Sequence, residues 1–105
     1  MNLKRKIAPV GALVFAALSV APAHAYTQCE GSMERIWAGD GGYIWLHLKD
    51  GGAAVLRPDD PNKETVAAMA MTALVSSRRV IIRYSADNAN CQEFGRYDFV
   101  GMYLL

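Results

Sequence analysis

Three observations in the sequence predict a mainly β domain, a small five-stranded barrel with one α-helix between its third and fourth strands. Short runs of alternating apolar and polar residues recur between positions 31 and 56 and again after 79. Two Asp-Gly-Gly triplets punctuate the first of these regions, and the apolar spacing changes to a helical period once, between 62 and 76.

The N-terminus comes first. Lys4, Arg5 and Lys6 precede an apolar stretch over residues 7–20, and small residues at Ala23 and Ala25 flank His24. This is the pattern of a secretory signal peptide over residues 1–25, with Tyr26 as the first residue of a mature domain over 26–105. The apolar stretch falls short of the roughly 20 residues that span a bilayer, so no membrane span is expected after cleavage. Cys29 follows the cut without the small apolar residues that would mark a lipid anchor. A secreted or periplasmic location follows.

A domain of this size buries a modest core and gains from a covalent constraint. Cys29 and Cys91 are the only cysteines, and an even count in an oxidising compartment argues for a disulfide. It would close a loop of about 60 residues, which chain entropy credits with roughly 4 kcal/mol. Two distant cysteines and His47, the one histidine after the leader, make no metal-ligand set, and no cofactor is expected. The chain has 11 Lys and Arg against 10 Asp and Glu; three of the basic residues lie in the leader, which leaves 8 against 10. A net negative domain argues against a nucleic-acid partner.

The first strand is read over residues 31–37, GSMERIW, with Met33, Arg35 and Trp37 on one face and Glu34 and Ile36 on the other. The second, over 43–48, alternates strictly: Ile44, Leu46 and Leu48 face one way and Tyr43, Trp45 and His47 the other. A phosphate loop would need its glycines followed by a helix. Both Asp-Gly-Gly triplets are followed by β-type residues instead, so they read as hairpin turns in which glycine supplies positive φ. A short third strand over 53–56 ends at Arg57 and Pro58.

The helix follows, with Asp60 or Asn62 as its cap and Pro61 suited to its first turn. Val66, Met69, Ala70, Ala73 and Leu74 make one apolar face. Ala67, Ala68, Met71 and Val75 make the opposite side apolar too, so these four are the candidate interface of a homo-oligomer; a simply exposed second face is the alternative. Residues 79–84 form the fourth strand, a polar loop carries Cys91, and residues 96–105 form the fifth. This order fits a Greek-key barrel of the oligonucleotide/oligosaccharide-binding (OB) type.

Aromatic faces suit the apolar faces of sugar rings, so Trp37, Tyr43 and Trp45 are candidate glycan-binding residues, with Asp40, Asp87 and Asn88 as partners for hydroxyls; burial in the core or between subunits is the competing role for the aromatics. Arg78, Arg79 and Arg83 read as a solvated strand edge or as inter-subunit ion pairs in preference to an anion site. No serine, cysteine or carboxylate pairs convincingly with His47, so the domain is not expected to be an enzyme.

The chain resembles the receptor-binding B subunits of AB5 toxins, the Shiga toxin B subunit in particular. The likeness lies in Cys29 near the mature N-terminus, Gly31 after it, the MERIWAGDGGYIWLHL hairpin, the helix into Ala73, the VIIRY strand and Cys91 after that strand's loop. It implies a pentameric ring with the helices lining a central pore, a disulfide tying the N-terminus to the barrel, recognition of cell-surface glycans near the first hairpin turn, and a catalytic A subunit as a further partner. Asp40 matches an acidic position of the family's first turn; Gly41 and Gly42 replace the acidic residues that follow, and Trp45 stands in place of a small hydroxyl residue. The other reading is a small periplasmic protein that binds a protein partner, as inhibitor or accessory subunit, through the same barrel.

Overall fold

The computed structural model describes residues 25–105, so the expected leader lies, apart from Ala25, outside the described residues. The domain is mainly β with one helix. Its elements are β1 (Thr27–Gly39), β2 (Tyr43–Leu48), β3 (Ala53–Leu56), α1 (Lys63–Ser76), β4 (Arg79–Tyr84), β5 (Phe94–Arg96) and β6 (Phe99–Leu104). The strands form a six-stranded sheet in the order β5-β3-β2-β1-β4-β6, antiparallel except for β3 and β5. The described sheet is thus open, with six strands where five are expected.

β1 is longer than its alternation suggests because it serves two partners. Thr27 to Ser32 pair with β4, while Met33 to Gly39 pair with β2. Between the two halves the register shifts at Glu34, and a bulge of this kind turns the following residues over to the other face. Cys29, Gly31 and Met33 point inward, whereas Arg35 and Trp37 are exposed and Ile36 packs on the core. The expected grouping of Met33 with Arg35 and Trp37 is thereby corrected.

β2 follows its alternation: Leu46 and Leu48 enter the core with Leu56 of β3, Val80, Ile82 and Tyr84 of β4, and Val66, Ala70 and Ala73 of α1. The three helical residues are spaced i, i+4 and i+7, and small alanines let α1 approach the sheet closely. Met69 is only half buried and Leu74 is exposed, so the inward face is narrower than the apolar spacing indicates. Asn62 occupies the N-cap position without a side-chain cap bond, which leaves Pro61 ahead of the helix rather than in its first turn. The Asp60 carboxylate instead accepts the Asn62 N–H at 2.8 Å. At the other end Ser77 adopts φ 58°, and the Arg78 N–H closes on the Ala73 carbonyl at 3.0 Å.

Cys29 and Cys91 form the expected disulfide, with Cα atoms 5.6 Å apart. It fixes the loop before β5 onto β1. The expected last strand is broken in two by Tyr97 and Asp98. Gly95 has φ 93°, and the Asp98 carboxylate accepts a two-pronged bond from Arg96, 3.0 Å from Nε and 2.8 Å from Nη2. The chain therefore turns a corner between β5, which runs parallel to β3, and β6, which runs antiparallel to β4. No helix among the described residues is long and apolar enough to cross a membrane.

Candidate functional site: an aromatic cleft at the first hairpin

The outward face of β2 carries Tyr43, Trp45 and His47, and the bulge in β1 delivers Trp37 to the same side. Trp37 and Trp45 are direct cross-strand partners. The turn that joins the two strands takes positive φ at Asp40 (52°), Gly41 (80°) and Gly42 (114°), closed by the Gly42 N–H on the Gly39 carbonyl at 3.2 Å. That turn sets the Asp40 side chain beside the indoles.

Trp37, Asp40, Trp45, His47 and Phe94 together line an open cleft of about 290 Å³. Its walls are held by close packing. The Trp37 ring lies on Gly39, where a Cβ would stand 2.7 Å from it; Trp45 abuts Gly95, where a Cβ would stand 3.0 Å from its ring. Ring centroids of Trp45 lie 5.3 Å from Phe94, 6.0 Å from His47 and 6.4 Å from Tyr97. Trp37 and Phe94 remain open to solvent, at 42% and 61% exposure, so the cleft presents apolar ring surface and is not merely a corner of the core.

His47, 8% exposed, forms part of the floor, between Trp45 and Phe94. Burial, and then the neighbouring Arg35 guanidinium, lower its pKa below the ordinary 6.5, with Glu34 opposing. The imidazole is therefore neutral at neutral pH, and it contributes a polar edge without a charge.

Of the expected glycan-binding residues, Trp37, Asp40 and Trp45 come together. Tyr43 stands next to the cleft, edge-on to Tyr97 at 6.3 Å, with Arg57 5.3 Å above the Tyr97 ring. Asp87 and Asn88 do not join them. They are exposed on the loop whose Ala86 carbonyl and Ala89 N–H bond the Thr27 hydroxyl, at the far end of β1 from Asp40. Phe94 is contributed by a segment whose polar composition hides it, and Tyr97, expected within the last strand, lies instead at the break between β5 and β6. A three-residue strand is too short to show a period, and the Phe-Gly pair was the available sign.

The remaining candidates are placed as follows. Arg79 pairs with Glu30 at 2.9 Å, Arg83 bonds Gln28 at 2.8 Å and covers the Tyr26 ring, and Arg78 bonds the Leu105 carbonyl. These arginines are each engaged within the chain. On α1, Ala67 is half buried, Ala68 is exposed, and Met71 and Val75 stand out at 55% and 83% exposure. Among the described residues no three His, Cys, Asp or Glu side chains gather as a metal site. Comparison with protein-family models, with curated proteins and with solved structures finds no match to this chain.

Proposed function

We propose that this chain is a secreted, non-catalytic binding module of the toxin B-subunit type that recognises a cell-surface glycan and works as a ring of identical copies. The observation that carries the reading is the aromatic cleft, where two indoles and a phenyl ring stand beside the carboxylate of Asp40. Such a surface stacks on the apolar face of a pyranose while the carboxylate accepts hydroxyl hydrogen bonds. The disulfide accords with an exported protein.

An OB-type barrel is the architecture this reading assumes. In its support, β1 pairs with both β2 and β4, β3 pairs with β5, and β4 pairs with β6. The two edge strands are consecutive, joined only by Tyr97 and Asp98. Taken as one kinked fifth strand, they return the expected five-stranded count. The ring is supported by the apolar outer side of α1, where Met71 and Val75 are bare in the single chain. A catalytic A subunit would dock on such a ring. The same bare helix favours the second reading, a periplasmic protein whose partner is another protein.

A glycan array probed with the mature chain tests the proposal. Specific saccharides should be retained by the wild type, and Trp37→Ala should weaken that binding about fivefold or more, the value of one stacking contact. Because the ring is partly exposed, the variant should keep its fold. Absence of saccharide binding, together with capture of a protein through the α1 face, would move the assignment to the second reading.

A further inference from the structure

We infer that the sugar unit seated between Trp37 and Trp45 carries a free ammonium group, and that Asp40 is the residue that selects it. The inference rests on the glycan reading and narrows it from carbohydrate in general to amino sugars.

Among the described residues Asp40 is the only charged side chain that lines the cleft. The faces of Trp37, Trp45 and Phe94 carry the negative side of their quadrupoles, so rings and carboxylate attract the same kind of group. His47 adds no opposing charge while it is neutral. Three cations stand nearby, and each has a partner of its own, although Lys63 sits on the turn that carries Asp40 and the charge of Arg35 reaches His47. Lys63 Nζ donates to the Gly42 carbonyl at 3.0 Å, Arg35 lies 3.3 Å from Glu34, and Arg57 lies over Tyr97. None of them lines the cleft.

An acidic sugar would bring its carboxylate or sulfate against both the π faces and Asp40. A neutral hexose keeps stacking and hydroxyl bonds. An amino sugar keeps those and adds a charge-assisted bond to Asp40. The turn also holds the backbone that carries this carboxylate: Asp40 has φ 52° between two glycines, and Gly42 is tied both to Gly39 and to Lys63. Asn tolerates this left-handed conformation as well as Asp does, so Asp40→Asn removes the charge and leaves the turn.

The test compares a β-1,4-linked glucosamine tetramer with its fully N-acetylated counterpart, which shares the backbone but lacks the charge. Both are titrated calorimetrically into the mature chain at physiological salt, at a pH that keeps the free amine protonated, alongside an array of neutral and sialylated glycans. The free-amine tetramer should bind more tightly than the acetylated one. Asp40→Asn should weaken the free-amine ligand by about two- to fivefold, as expected for an exposed ion pair, and leave the acetylated ligand unchanged. Trp37→Ala should weaken both. Equal or tighter binding of acetylated or sialylated glycans, with Asp40→Asn silent, would overturn the selection of amino sugars while leaving glycan recognition intact. Failure of the wild type to bind any saccharide would remove the glycan reading and this inference together.

Discussion

Gly52 shows why the second Asp-Gly-Gly triplet needs both of its glycines. Gly51 supplies a φ of 110°, but Gly52 has an ordinary backbone; its constraint is that a Cβ would overlap the Cys91 carbonyl oxygen. Gly52→Ala should therefore push the disulfide-bearing loop away from β3 and cost about 1–3 kcal/mol, as overpacking does. A lower denaturant midpoint with an unchanged slope is the expected readout. Tyr84 offers the opposite case. Its ring is fully buried beneath Arg96, 5.1 Å from the guanidinium carbon, and its hydroxyl lacks a hydrogen-bond partner. Burial pushes its pKa from 10.0 up to about 12. Between those two values the unfolded chain loses this proton and the folded one retains it, so this group's contribution is complete below pH 10 and is lost as the pH rises toward 12. Tyr84→Phe should be neutral or stabilising at pH 7, since it removes an unsatisfied buried group. It should also lessen the alkaline loss seen in urea titrations by on the order of 2 kcal/mol.

At the level of elements, the corner between β5 and β6 is tied by one side-chain pair, Arg96 and Asp98. Asp98 accepts both prongs of Arg96 and the Ala86 N–H at 3.1 Å, and Arg96 also reaches Glu93 at 2.6 Å. The bonds from Arg96 hold the Asp98 carboxyl below the usual carboxylate range, against the effect of burial. A depressed carboxylate pKa contributes stability above its unfolded value and loses it as pH falls. Asp98→Ala should cost about 1–3 kcal/mol at pH 7 by stranding its donors, and its stability should fall less steeply on acidification, as followed by thermal melts across the acid range. This corner was not legible in the sequence, because the tie is between residues two apart that read as one continuous strand. β2, β4 and α1 were legible because alternation or helical spacing marks them, although only Val66, Ala70 and Ala73 of the helix's apolar face are buried, and β3 was legible as a short apolar run that is buried throughout. β1 was only partly so. Its N-terminal half pairs with β4, some fifty residues away, and the bulge at Glu34 breaks the alternation on which face assignment depends. The candidate site divides in the same way: Trp37, Asp40 and Trp45 share one hairpin and could be grouped locally. Phe94 comes from across the sheet, while Asp87 and Asn88 suit the site only in residue type and lie at the other end of β1.

For the whole molecule, the proposed ring draws on one feature of the single chain. A helix with Val66, Ala70 and Ala73 against its own sheet has met its structural need, yet Met71 and Val75 remain bare on its outer side. Burying such side chains contributes about 1.5–3 kcal/mol each, and repetition around a closed ring multiplies the effect. Val75→Asp should leave the single-chain fold within about 0.5 kcal/mol of wild type, since that side chain touches little, and should abolish assembly. A ring would also set several aromatic clefts on one particle, so weak individual sugar contacts would add up on a cell surface. That the domain works as a ring of identical copies is tested most directly by the absolute mass of the disulfide-intact chain, residues 26–105, measured by light scattering after size exclusion. A mass near that of a pentamer, collapsing to that of a monomer in Val75→Asp, is the predicted result. A wild type that runs as a monomer at every concentration examined would contradict it.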